Sequence, residues 1–198
     1  MRILHYTLGL YPNRTGGLNR YATDLMREQS KEHQVAVLMP GAWWPFRNKC
    51  SISKGKIQNG IKCFYLRNSL PQPLLFGIKD PSSFIGKQIS QKSFERFYEE
   101  FKPDVLHLHT FMGIPETALR FLKERNVKLI YTSHDYFGIC PKVNFINQKG
   151  ELCDGPAPEK CSVCNQQAPS VLYLRARSSC LAFKTRDFVR WIKSTVRS

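Results

Sequence analysis

The sequence predicts an α/β fold, a Rossmann-like doubly wound parallel sheet. Three observations predict it. Apolar runs of strand length alternate with amphipathic runs of helix length through most of the chain. The first strand hands over to the first helix through a glycine pair, Gly16-Gly17. The polar motifs Gly16-Gly17, His109-Thr110 and His134-Asp135 each fall where a strand ends. Open parallel sheets bind ligands beyond the carboxyl ends of their strands. Sequence order alone therefore gathers these motifs into one shared site.

The elements follow in order. Strands are predicted at 2–8, 34–39, 61–67, 105–109 and 127–133, and helices at 17–32, 82–101, 115–125 and 171–196. The first helix carries Leu18, Tyr21, Ala22, Leu25 and Met26 at one-face spacing. Phe94, Phe97, Tyr98 and Phe101 do the same before Asp104, and Pro115 suits a first helical turn. The stretch 42–60 is polar and basic, opens on Trp43-Trp44-Pro45 and reads as irregular. Its aromatics can stack on sugar rings or cover the core edge, the commoner use. The stretch 68–81 holds three prolines and reads as an extended connection.

Each chemistry-bearing motif has a bland reading beside a functional one. Glycine at a helix start lets backbone approach a ligand, and the helix N-terminus offers free N–H groups and partial positive charge. Such a pair is as often only a turn. Arg20, one turn into the helix, adds charge there or is simply solvated. His107 and His109 alternate along a strand and so share a face. His109, at the strand end, is the site candidate, and His107 reads as core. Two such ligands without a third are poor evidence for metal. His134 can hydrogen-bond a phosphate or sugar hydroxyl, and Asp135 can accept hydroxyl protons. Cys140, Cys153, Cys161 and Cys164 form C-x12-C-x7-C-x2-C, and four thiolates in one loop can hold a structural zinc tetrahedrally. The alternative is four reduced thiols. Such a closed site has no open position for catalysis. Cys50, Cys63 and Cys180 read as ordinary apolar positions.

The 198 residues suffice for one full core. The domain reading is 1–170 for the Rossmann-like unit, with a cysteine loop at 140–164, and 171–198 for a basic amphipathic helix. No 18-residue apolar run occurs and no signal peptide precedes the first strand, so a cytoplasmic location is expected, with the cysteines as thiols or ligands. The net charge of +15 attracts anionic membrane, nucleic acid or anionic ligands. Arg175, Arg177, Lys184, Arg186, Arg190, Lys193 and Arg197 concentrate it against the single acid Asp187. Leu174, Leu181, Phe188 and Ile192 recur on one face, with Trp191 beside them. The helix either packs on its own sheet or docks on the inner leaflet as a peripheral anchor.

Four segments together resemble glycosyltransferase family 4. They are the opening MRILHY…YPNRTGGLNRYATDLMREQSKEHQVAVLMP, FKPDVLHLHT at 101–110, KLIYTSHDYFGICP at 128–141 and CDGPAPEKCSVC at 153–164. The last is similar to a cysteine-bearing insertion in a subset of that family. The resemblance implies the N-terminal, acceptor-side half of a retaining, nucleotide-sugar-dependent enzyme of GT-B architecture. His134 would then lie in the cleft near the transferred sugar, positioning it and stabilising charge rather than attacking. Gly16, Gly17, Arg20 and His109 would line the donor–acceptor cleft, with Asp135 toward the acceptor. Implied partners are a nucleotide-sugar donor and a glycan or lipid-linked acceptor, as in cell-surface polysaccharide synthesis, with a hexose-type sugar transferred.

The family's donor-binding domain carries a Glu-x7-Glu motif. Glu151 and Glu159 share that spacing but lie inside the cysteine loop 140–164, and no further strand–helix alternation follows the His134 loop to make a second such domain. It reads as a first domain alone, needing a C-terminal donor-binding domain or a complementing chain. Two other readings compete: a basic, zinc-bearing module for anionic membrane or nucleic acid, and an inert remnant. Basic residues with interleaved aromatics form no recognised nucleic-acid motif here, which weighs against nucleic acid.

Overall fold

The computed structural model describes residues 1–58, 60–182 and 185. Its elements are β1 (Arg2–Tyr6), α1 (Gly17–Gln29), β2 (Gln34–Pro40), β3 (Ser51–Lys54), β4 (Lys62–Arg67), α2 (Gln91–Phe101), β5 (Val105–Leu108), α3 (Glu116–Lys123), β6 (Lys128–Tyr131), α4 (Pro158–Cys164) and α5 (Val171–Arg177). One six-stranded sheet runs β3-β4-β2-β1-β5-β6. Every pairing is parallel except β3 against β4. This is the doubly wound Rossmann-like arrangement that the sequence predicts.

Period-two alternation sorts the strand residues onto two faces. Leu4, Tyr6, Leu38, Phe64, Leu106 and Leu108 face α2 and α3, where they meet Phe94, Phe97, Phe101, Phe121 and Leu122 in the main core. Phe64 and Phe97 contact edge to face, with centroids 4.8 Å apart. On the other face, Ala22 and Met26 of α1 close over Val35, Val37, Met39 and Cys63. Further along that face, β1 and β5 contribute His5, His107 and His109 instead of apolar residues.

Several predicted elements shift. β1 ends at Tyr6, and Thr7 is already committed to Asn19 of α1 through its hydroxyl, at 3.3 Å. The buried face of α1 is Asn19, Ala22, Thr23 and Met26, rotated from the predicted stripe, so that Tyr21 is 47% exposed. Asn19 and Thr23 offset their burial by fastening the preceding loop: Asn19 Nδ2 donates to the Thr15 carbonyl and Thr23 Oγ1 accepts from the Tyr11 amide.

The second predicted helix begins at Gln91 rather than 82, after a 3₁₀ turn at Pro81–Phe84. Residues 88–90 cannot be helical because they pair with Cys50: its amide donates to the Gln88 carbonyl and its carbonyl accepts from the Ser90 amide. Strand β3 lies inside the stretch read as irregular. The final predicted helix is broken. Ser170 caps α5, but the chain turns at Ser178, whose carbonyl accepts from the Trp43 amide. Leu174 is buried and Leu181 is 72% exposed, so they do not share one apolar face. Lys184, Arg186, Asp187, Phe188, Arg190, Trp191, Ile192, Lys193 and Arg197 lie outside the described residues. Among the described residues, no helix is long and apolar enough to cross a membrane.

Candidate functional site

Chain direction reverses across the sheet between β1 and β5. From β1 the chain moves outward to β2 and β4, then returns to lay β5 on the other side of β1. Neighbouring loops diverge at such a switch point and leave a crevice at the carboxyl ends of the strands. The Gly16-Gly17 loop follows β1, His109 follows β5 and His134 follows β6. The structure thus brings the strand-end motifs to one edge, as their order predicts.

His5 and His107 are register partners on β1 and β5, and His109 lies two residues further along the same face. A hydrogen-bonded row results. Gln29 Oε1 lies 2.7 Å from His5 Nε2, His5 Nδ1 lies 3.0 Å from His109 Nε2, and His109 Nδ1 lies 3.2 Å from His134 Nε2. His107 stands beside the row, stacked on His109 at 4.4 Å, with its Nε2 on the Thr132 hydroxyl at 2.8 Å. Tyr21 of α1 sets its ring edge to face against His134, with centroids 4.9 Å apart.

Burial decides the charge state. His5 is fully buried, and desolvation followed by the nearby His107 lowers its pKa from 6.5 to about 4. Desolvation lowers His109 to about 3, reinforced by His107, His5 and His134. Burial also lowers His107 and His134, the latter opposed by Asp135. The row is therefore neutral at pH 7, and each ring has one N–H to give and one lone pair to receive it.

The other predicted residues fall as follows. His109 is 1% exposed, so it lies behind His134 and Tyr21 rather than lining an open cleft. Gly16 is the N-cap of α1 at φ 120°, a conformation side-chain-bearing residues resist. A Cβ on Gly17 would meet nothing within 4 Å, so that face of the helix start is open. No side chain caps α1 and no acid lies in its first turn, which leaves this end electropositive. Arg20 sits over the Tyr11 ring at 5.6 Å. Asp135 Oδ1 accepts from the Phe137 amide at 2.9 Å, so that oxygen shapes its own turn.

The four loop cysteines do not gather. Among the described residues, the group of three or more metal-binding side chains with ligand atoms within 4.8 Å of one another is His5, His107 and His109, not the cysteines. Cys161 and Cys164 sit on α4, where C-x2-C becomes helical spacing rather than a metal knuckle, and Cys153 Sγ is turned to the Gly155 carbonyl at 3.2 Å. This loop, with Cys140 at its start, does not fit the tetrathiolate expectation. It is pinned instead by Asn165, whose Nδ2 donates to the Cys161 carbonyl and whose Oδ1 accepts from the Ile78 amide.

A cavity of about 800 Å³ opens among the loops after β1, β2 and β4, with Arg14, Arg67, Arg177, Tyr65 and Gln72 in its wall and, among the described residues, no Asp or Glu. A second cleft, of about 690 Å³, lies at the opposite ends of the strands around Met1, Arg2 and Asp104, away from every candidate residue.

The sequence reading missed His5, Gln29, Tyr21 and the arginine-walled cavity. His5 was recoverable: it alternates with the apolar Leu4 and Tyr6 on β1 as His107 and His109 alternate with Leu106 and Leu108 on β5, and the strand register puts all three on one face.

The sequence profile of Glycosyltransferase Family 4 matches residues 15–151, which include Gly16, Gly17, Arg20, His109, His134 and Asp135. A search of curated proteins found no match. Among solved structures, the catalytic domain of starch synthase IV from Arabidopsis thaliana bound to ADP and acarbose is similar, with a TM-score of 0.38 and 16% identity. That match covers 68% of this chain and 34% of the other, so this chain spans well under two thirds of its length. With the family profile covering more than half of its residues, the chain belongs to glycosyltransferase family 4.

Proposed function

We propose that this domain is the acceptor-side half of a retaining glycosyltransferase, moving a hexose-type sugar from a nucleotide-sugar donor to a glycan or lipid-linked acceptor in cell-surface polysaccharide synthesis. The observation that carries the reading is His134 after β6, hydrogen-bonded to His109 next to the sheet's switch point, on the side of the open start of α1 and within the span matched to the family. In this reading His134 receives a sugar hydroxyl and orients the donor, which needs a neutral imidazole. The α1 N-terminus lies near phosphate charge. The arginine-walled cavity takes the acceptor, favouring one with an anionic group. Donor binding and the Glu-x7-Glu motif belong to a partner domain. The +15 charge suits work against the anionic inner face of the membrane.

The same charge favours a second reading, a basic module for nucleic acid or anionic membrane. Calorimetric titration separates them. A glycosyltransferase half binds an anionic glycolipid acceptor in neutral detergent saturably, and Arg67→Gln weakens that binding several-fold. A basic module instead binds duplex DNA or anionic vesicles with affinity collapsing between low and moderate salt, and does so equally in Arg67→Gln. That outcome would overturn the proposal.

A further inference from the structure

The row Gln29–His5–His109–His134 has a direction. Gln29 presents its carbonyl oxygen, which can only accept, to His5 Nε2. His5 must then donate from Nε2 and, being neutral, keep a lone pair on Nδ1. His109 Nε2 faces that lone pair and must donate. Its Nδ1 is left as acceptor, so His134 Nε2 must donate in turn. No choice remains at any ring once the first is made.

We infer that Gln29, His5 and His109 are positioning residues that fix the tautomer of His134, so that its Nδ1 is held as a hydrogen-bond acceptor toward the cleft. His134 Nδ1 is the ring nitrogen the row leaves over. Among the described residues, no buried side-chain nitrogen or oxygen lacks a partner, and His134 is half-buried, so Nδ1 is open to a ligand. An acceptor there selects a ligand O–H and turns away a bare phosphate oxygen. Only this choice of ligand rests on the proposed glycosyltransferase function; the tautomer itself does not.

The row also conducts. A proton taken by His134 at Nδ1 lets its Nε2 proton pass to His109 Nδ1, and the His109 Nε2 proton pass to His5 Nδ1. One proton enters and none leaves. The charge ends on His5 beside Gln29, and His134 is left carrying its proton on Nδ1. In the native protein this is opposed by the burial of His5 and by His107, 5.2 Å away centroid to centroid. Among the described residues, Tyr21 also faces the row, against both His109 and His134, and Asp135 lies at its His134 end.

Histidine ¹⁵N–¹H correlation spectra of the full chain test this, since the two tautomers and the imidazolium give distinct patterns. At pH 7 the expected result is an Nε2–H tautomer for His5, His109 and His134. Gln29→Glu places a carboxylate on His5 and should raise its titration midpoint by roughly 1–3 pH units. Below that midpoint His134 should switch to Nδ1–H, although the substitution is three residues down the row. Gln29→Met removes the anchor and should leave His134 as a tautomer mixture. An Nδ1–H tautomer or an imidazolium at His134 in the native chain would overturn the inference, whether or not the variants fold. So would a His134 pattern that ignores both substitutions. Neither result would touch the glycosyltransferase assignment, which binding and turnover decide.

Discussion

Lowering the pH from 7 to 5 should cost this domain several kcal/mol. Folding holds His5 at about 4 and His109 at about 3, against an ordinary 6.5 in the unfolded chain. Between these values the unfolded state binds protons that the folded state refuses, so stability rises with pH. The contribution is complete above 6.5 and is lost as pH falls toward the folded values. For any histidine with a folded pKa below 5, the step from pH 7 to pH 5 removes about 2 kcal/mol. Two such residues remove about 4 kcal/mol, a large share of a typical domain's stability. His107 and His134 are shifted the same way and add to it. The carboxylates of Asp80, Asp104 and Asp154 are lowered from 3.8, so their effect lies below the window. Urea unfolding at the two pH values reads the difference, with the slope as a check that the same surface unfolds. His5→Gln/His109→Gln should lose most of the dependence. A native midpoint unchanged between pH 7 and 5, or a full dependence surviving in the double variant, would refute the reasoning.

Three further substitutions probe the frame around the site. Tyr6 is fully buried and donates to the Met112 carbonyl at 2.8 Å, so Tyr6→Phe leaves that carbonyl unpaired and should cost about 1–3 kcal/mol in urea unfolding. An unchanged midpoint would show that water replaces the hydroxyl. Gly16→Ala should cost about 1–3 kcal/mol because φ 120° is strained for alanine, although only Asn19 Nδ2 lies near, at 3.7 Å. Gly17→Ala has open space and no positive φ, and should be neutral or slightly stabilising. Equal damage from both would contradict the geometry described for the start of α1.

The parts of the fold that were legible in the sequence are those set by short-range pattern. Strands β1, β2, β4, β5 and β6 announce themselves as apolar runs, and strand–helix alternation makes their sheet parallel. Strand β3 did not, because Ser51–Lys54 offers one apolar residue, Ile52, at a sheet edge. The cysteine loop misled because C-x2-C serves a metal knuckle and a helical turn equally well, and helix α4 takes it. In the site, His109 and His134 were found because they end strands. Gln29 was not, because its role depends on His5, 24 residues earlier in sequence and itself hidden in an apolar run. Tyr21 was placed in the core by helical spacing, yet Asn19 and Thr23 occupy that face because the loop after β1 needs their hydrogen bonds.

The most direct measurement is sugar transfer by the native protein that carries this chain, comparing His134→Ala with the unaltered enzyme at equal folded concentration. If His134 positions the donor and steadies developing charge, kcat should fall by roughly 10²-fold or more, with nucleotide-sugar KM changing far less. Turnover within a few-fold of the native rate would contradict the account.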